Sequence, residues 1–356
     1  MKLYYPKSHY DKSKRGQVFP LLKPFIRADD FTDAERIQVY GVSDKDFEFT
    51  DSLEEADLTI LTMAWNYYVN SNNTSLAISQ VNKAKNLGKK IVIWNLSDFG
   101  IKIPSFENAI ILRRSGYKSK FKHNEYSLPS FITDPLKKYF NTSKVFLQPY
   151  NSIPIIGFCG QANSSLFNAK MEICYTVFRN LKYYVGLSRL EPQQILSTTY
   201  LRASVLNTFQ KSEKIVSNFI FREKYRAGVT KNKETHLTTI EFYNNLKNSD
   251  YIVCIRGAGN FSVRFYEALA MGRIPVFINT DCSLPFDDSI DWKKHLVWVE
   301  YKDRHLVVQK VLDFHNKLSK QDFLDLQYSN RQLWEEKLTL GGFFRKFLTS
   351  INVKEN

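Results

Sequence analysis

YIVCIRGAGNFSVRFYEALAMGRIPVF, running from Tyr251 to Phe277, reads as strand, glycine loop, helix, turn and strand. Tyr251 to Ile255 is a short, β-branched apolar run of the kind that forms a buried parallel strand. Arg256-Gly257-Ala258-Gly259-Asn260 follows at once, with two glycines that let the backbone bend and let a ligand approach main-chain N–H groups. Asn260 or Ser262 can cap the next helix, whose buried side is Phe265, Ala268, Leu269 and Met271. Gly272 ends that helix and Ile274 to Ile278 forms the next strand.

A glycine loop that opens onto a helix N-terminus is an anion site. Arg256 and Arg264 flank that terminus, and a guanidinium matches phosphate through its planar fork of donors. Glu267 lies three residues beyond Arg264, on the same helix face, where a carboxylate can accept hydrogen bonds from ribose hydroxyls. An isolated Arg-x-x-Glu is most often an exposed helical pair; here the glycine loop and the flanking strands favour a nucleotide sugar, with diphosphate over the loop. No Gly-Lys-Ser/Thr follows, so the loop is not a Walker loop, and it does not match GxGxxG.

RGAGNFSVRFYEALAMGRIPV, followed by Leu284-Pro285-Phe286-Asp287-Asp288 and Ile290-Asp291-Trp292, resembles the core of exostosin-type glycosyltransferases. The resemblance is dense from about Asp250 to Trp292 and weak elsewhere. It implies a GT-B fold, in which two Rossmann-like domains with parallel sheets face a central cleft, and an inverting transfer from a nucleotide sugar. It also places Arg256, Gly257, Gly259, Asn260, Ser262, Arg264 and Glu267 on donor-binding positions, and makes a UDP-sugar the expected donor.

The 356 residues suit two domains. A hydrophobic fraction of 43% and an aromatic fraction of 15% argue for a folded chain rather than disorder. Fifty Lys+Arg against 36 Asp+Glu leave +14, which implies attraction to something anionic. No zinc-finger spacing, helix-turn-helix or aromatic-interleaved RNA motif is present, so anionic substrates and an anionic membrane surface rank above nucleic acid. Cys159, Cys174, Cys254 and Cys282 form no CxxC pair, which argues against structural zinc. The sequence shows neither a signal peptide nor an apolar run of spanning length, so the expected location is the cytoplasm, peripheral on the inner membrane face.

Residues 1–150 are expected to form the acceptor-side domain. Lys2 to Tyr5 can open it as a strand, Phe47 to Asp57 suggests a short helix capped at Asp51 or Ser52, and Leu58 to Leu61 is a buried strand. Thr74 to Leu87 is a helix closed by Gly88, and Lys90 to Trp94 the next strand. This alternation implies a parallel sheet, whose ligands bind beyond the strands' C-terminal ends. Asp98 sits beyond such an end and is a candidate catalytic base; the alternative is a turn residue. Arg113 and Arg114 follow Ile110 to Leu112 and are candidate acceptor contacts, against the commoner solvated basic loop. His123 is the second candidate base, since a histidine side chain can take up a proton at neutral pH. Asp44-Lys45-Asp46 ends no apolar strand and is a surface turn, so no divalent metal is expected.

Gln148 to Pro154 is the expected linker, and residues 151–340 the nucleotide-sugar domain. Ile155 to Gln161 is a strand running into Gly160, which is expected to face the donor; Ala169 to Leu181 is the helix after it. Gly186 to Gln210 is left unassigned. Val216 to Phe221 is a strand ending at Arg222, a third candidate phosphate contact, and Thr235 to Asn248 is an amphipathic helix. Gln321 to Leu340 is helical, Gly341-Gly342 breaks it, and residues 341–356 are expected to cross back onto the first domain by analogy with GT-B enzymes. The function implied is sugar transfer to a saccharide or glycolipid hydroxyl in cell-surface polysaccharide synthesis, with no cofactor beyond the nucleotide sugar. The rival is a non-catalytic nucleotide- or polyanion-binding protein.

Overall fold

The computed structural model describes residues 1–26, 31–223 and 236–353. In chain order the first half holds β1 (Lys2–Tyr4), α1 (Asp33–Tyr40), β2 (Glu48–Phe49), β3 (Leu58–Ile60), α2 (Trp65–Asn70), α3 (Thr74–Asn86), β4 (Lys90–Asn95), β5 (Ala109–Arg113) and β6 (Glu125–Ser127). They build a six-stranded, all-parallel sheet of order β2-β1-β3-β4-β5-β6. β3 and β5 are buried at every position, the pattern of strands covered on both faces. The expected short helix in Phe47 to Asp57 is instead β2 and a turn, because Lys2 and Leu3 pair with Glu48 and Phe49 at the sheet edge.

The second half holds α4 (Pro135–Phe140), β7 (Ile155–Gln161), α5 (Leu166–Tyr184), α6 (Thr198–Gln210), β8 (Val216–Arg222), α7 (His236–Lys247), β9 (Tyr251–Cys254), α8 (Val263–Ala270), β10 (Ile274–Asn279), β11 (Val297–Glu300), α9 (Val307–His315), α10 (Lys320–Leu333) and α11 (Leu340–Val353). Its parallel sheet has the order β11-β10-β9-β7-β8. The unassigned Gly186 to Gln210 stretch contains α6, which buries Leu201, Val205, Leu206 and Phe209. Thr235, the expected first residue of the helix that became α7, lies outside the described residues.

The lobes are therefore two Rossmann-like units, and the chain passes between them twice. The first passage comes earlier than Gln148: Phe131 packs with the first core, whereas Ile132 and Leu136 pack with the second. α4 precedes the proline-rich stretch and nonetheless belongs to the second core. The second passage follows a π-helical turn at Trp334–Leu338. α11 then buries Phe343, Phe344 and Phe347 in the first core, so the tail lies on the lobe where the chain began; residues 354–356 are outside the described part. Gly341 and Gly342 do not break α11. A Cβ would stand 2.7 Å from the Gly41 carbonyl oxygen at Gly341, and 2.4 Å from that of Glu336 at Gly342, so both glycines serve close packing.

Candidate functional site

Parallel strands present all their C-terminal ends at one edge, and in the second sheet the order reverses between β7 and β9. β8 leaves β7 on one side, while β9 and β10 continue on the other, so a crevice opens at the ends of β7 and β9. The Arg264 guanidinium, from the first turn of α8, lies in it. Its Nη2 donates to the Cys159 carbonyl at 2.8 Å on β7, and its Nη1 reaches the Val253 carbonyl at 3.5 Å on β9. The ring of Phe158 lies 4.3 Å from the guanidinium carbon. Gly160 makes this placement possible: a Cβ there would stand 2.6 Å from Arg264 Nη2.

Arg264 has no paired carboxylate among the described residues, and its Nε is buried without a partner. Burial pulls its pKa below the ordinary arginine range. An anion delivered to this crevice would offset that desolvation. Glu267 is one turn further along α8 and accepts from the Tyr243 hydroxyl at 3.3 Å. Burial, aided by the charge of Glu267, drives the Tyr243 pKa far upward, so the phenol stays protonated and donates. Arg222, at the end of β8, donates to the Thr238 carbonyl at 2.6 Å and pairs with Glu241 at 2.8 Å. Ser262 is the N-cap residue of α8, yet its hydroxyl makes no capping bond, which leaves the first N–H groups of the helix unclaimed by it. Gly160, Arg222, Ser262, Arg264 and Glu267 are thus brought to one sheet edge.

Arg256, Gly259 and Asn260 face the other way, into the seam with the first lobe. Arg256 is 4% exposed; it donates to the Tyr117 hydroxyl at 3.0 Å, the Gln193 side chain at 3.2 Å and the Ala258 carbonyl at 3.2 Å. Asn260 is 1% exposed and donates to the carbonyls of Gly116, Thr280 and Asp281, while its N–H binds the Ser115 hydroxyl at 2.9 Å. Both side chains, expected at the donor, are committed to holding the lobes together. Gly259 likewise admits the other lobe, not a ligand: a Cβ would stand 2.3 Å from the Asp98 carbonyl oxygen. At Gly257 the nearest atom to such a Cβ is Arg202 Nη2 at 3.7 Å, so that side of the loop is open.

Arg113, expected to bind acceptor, is 5% exposed and ion-paired with Glu125 at 3.1 Å and with Glu191 of the other lobe. This buried triad is a structural clasp, with no face for an acceptor. Arg114 differs. It is part-exposed, pairs with Asp98 at 2.7 Å, and stacks 4.8 Å from the ring of Phe261 in the donor loop. Asp98 and Arg114 therefore stand together at the seam, beside the glycine loop. His123 is exposed on the turn before β6 with no side-chain partner among the described residues, and nothing brings it to this cluster. Asp46 of the Asp-x-Asp turn accepts from the Ser43 N–H at 2.7 Å and pairs with Arg345 at 3.1 Å. No group of His, Cys, Asp or Glu able to hold a metal occurs among the described residues.

Three contributors escaped the sequence. Arg202 of α6 donates to the Gln161 carbonyl at 3.2 Å and the Arg256 carbonyl at 2.7 Å, spanning the same crevice from above. It lies in the stretch whose periodicity gave no assignment. Tyr117 and Gln193 clamp Arg256 from distant segments, and no local motif marks either. A groove of about 400 Å³ bordered by Asn218, Asn244, Asn245 and Asn248 lies outside the crevice, between β8 and α7.

Residues 163–313 match the Exostosin GT47 domain. Over 90 residues the chain is 36% identical to Exostosin-1 of Drosophila melanogaster, covering 25% of this chain and 11% of that protein. Over 68 residues it is 38% identical to a "Probable beta-1,4-xylosyltransferase" of Arabidopsis thaliana, covering 19% and 16% respectively. The chain thus spans only a small part of the length of these relatives. Among solved structures, TarM superposes with a TM-score of 0.34 at 10% identity, over 73% of this chain and 54% of that one, too distant to bear on function. The match runs from α5 into α9, with the crevice helix and its glycine loop between them, so this part of the chain is similar to the Exostosin GT47 domain.

Proposed function

We propose that this chain is an inverting glycosyltransferase that moves a sugar from a UDP-sugar to a hydroxyl of a saccharide or glycolipid acceptor, in the synthesis of a cell-surface polysaccharide. The observation that carries the reading is Arg264, a desolvated cation without a paired carboxylate among the described residues, set at the β7–β9 crevice beside the N-terminus of α8, which the Ser262 hydroxyl leaves uncapped. The diphosphate lies against Arg264 and the α8 amides, and the ribose hydroxyls donate to Glu267, whose orientation Tyr243 fixes. Arg222, at the next strand end, is engaged by Glu241 and the Thr238 carbonyl and makes no direct phosphate contact in this scheme.

In the reaction the acceptor oxygen attacks the anomeric carbon and its proton passes to a carboxylate. The bond from that carbon to the phosphate oxygen breaks, with its electron pair leaving on the diphosphate. Asp98 is the group proposed to take the proton, with Arg114 holding it at the seam. Preorganised donors to the leaving diphosphate commonly contribute about 3–4 kcal/mol each, or 10²–10³ in kcat. No divalent metal is required by this scheme. The +14 charge supports work at an anionic membrane face, from the cytoplasmic side.

A screen of nucleotide sugars, read by product mass and anomeric configuration, tests the reading. Arg264→Ala and Glu267→Ala should each lower transfer by about 10²-fold or more with unchanged circular dichroism. Wild-type turnover in both variants, or retention of configuration, would refute it.

A further inference from the structure

α5 is built inside out. Its buried positions are Ala169, Thr176 and Asn180, small or polar residues. Its solvent-facing positions are large and apolar: Phe167 is 72% exposed, Met171 56%, Phe178 58% and Leu181 54%. Phe167, Met171, Cys174, Phe178, Leu181 and Val185 recur at alternating steps of four and three, which places them along one side of the helix. The turn beyond continues the surface with Leu187, 78% exposed.

The charges on this side have one sign. Lys170 and Lys182 are exposed there. The helix's acidic residue, Glu172, is turned inward, where it accepts from the hydroxyls of Ser197 and Thr199. The inner side is anchored: Asn180 exchanges two hydrogen bonds with Gln193, and Arg179 stacks 3.9 Å from the ring of Phe99 across the seam. The helix is therefore held rigidly with its apolar side out. A second copy of the same surface would bring no carboxylate to meet Lys170 and Lys182. Anionic headgroups would meet both, and acyl chains would receive the phenylalanines. The chain's +14 charge draws it the same way.

We propose that the outer side of α5 is a docking surface that seats the protein on an anionic lipid bilayer. The helix lies in the interface and does not cross it; no helix among the described residues is long and apolar enough to span a membrane. The surface rests on the transferase reading only in its purpose, which is to hold the donor edge against a membrane carrying a lipid-linked acceptor. Gln161, the last residue of β7, is five residues ahead of Leu166, the first of α5.

The test is vesicle flotation of the full chain. The probes are phosphatidylcholine vesicles, alone or with roughly a third phosphatidylglycerol. The wild type should float with the mixed vesicles and far less with the neutral ones. Phe167→Ser with Phe178→Ser should lower the bound fraction by about tenfold or more. Lys170→Gln with Lys182→Gln should abolish the preference for anionic vesicles. UDP binding and circular dichroism should stay wild-type in both variants, since all four side chains are exposed. Cys174 is the exposed cysteine, the other three being buried, so an environment-sensitive dye on it should shift to the blue on mixed vesicles. Three outcomes would overturn the proposal: no flotation of the wild type, equal flotation of the serine variant, or a wild-type dimer that the serine changes dissociate. Failure of sugar transfer with intact flotation would sink the proposed reaction and leave the surface standing.

Discussion

Gly259→Ala and Gly257→Ala, two residues apart in one loop, should behave in opposite ways. Neither glycine has the left-handed φ that only glycine adopts comfortably, so alanine is permitted by the backbone at both. Sterics alone separates them. At position 259 the new Cβ would stand 2.3 Å from the Asp98 carbonyl oxygen and 2.8 Å from the Phe261 ring. A carbon–oxygen contact settles at about 3.3 Å, so the loop and the 95–100 segment must separate by about 1 Å. Overpacking of this size costs about 1–3 kcal/mol. The expected signature is a fall of roughly 2–6 °C in Tm, with reduced transfer because Asp98 moves. At position 257 the nearest atom is 3.7 Å away, an ordinary contact. Stability should stay within about 0.5 kcal/mol of wild type, and only donor affinity should fall if the diphosphate uses that open side. Thermal melts and donor titrations of both variants decide it. Equal Tm loss in the two, or none at Gly259→Ala, would refute the assignment of Gly259 to the seam and Gly257 to the ligand.

Arg113→Met should destabilise the protein by about 3–5 kcal/mol in denaturant titration, because Glu125 and Glu191 lose their shared cation in a buried site. A variant of wild-type stability with a raised acceptor KM would return Arg113 to the acceptor. Burial pulls the pKa of His9 and of His295 below the ordinary 6.5. The folded state therefore refuses protons that the unfolded chain accepts, so stability is full above that pKa and is lost as pH falls through the depressed values. Tm should drop between about pH 7 and pH 5, and the slope should flatten in His9→Gln/His295→Gln. An unchanged slope in the double variant would show that other groups set it.

The crevice was legible because its parts are local. Tyr251 to Phe277 carries a strand, a loop and a helix whose apolar spacing allows one register, and Arg264 and Glu267 then share a face by helical geometry. The seam was illegible for the converse reason. Arg256 and Asn260 point toward Tyr117 and Gly116, which are separated from them by 139 and 144 residues. No spacing rule tells a cation that binds a ligand from one that binds the other lobe. Arg113 fails in the same way, since Glu191 is 78 residues away. Gly341-Gly342 reads as a helix break on propensity alone; close approach of the Gly41 and Glu336 carbonyls outweighs propensity there. The family match shows the same asymmetry: it begins at residue 163, just after β7, although Arg264 donates to the Cys159 carbonyl of β7.

The two passages between lobes lie side by side, with the ring of Phe131 5.9 Å from that of Phe343. Two neighbouring tethers act like the pins of a door: together they resist twisting or sliding of one lobe past the other. A protease that nicks either span leaves the halves joined by the other, and the fragments should migrate together until denaturant is added. The first lobe cannot be produced as one uninterrupted piece of chain, because it needs its distant last helix to close its core, whereas the second runs unbroken from Ile132 to Leu338.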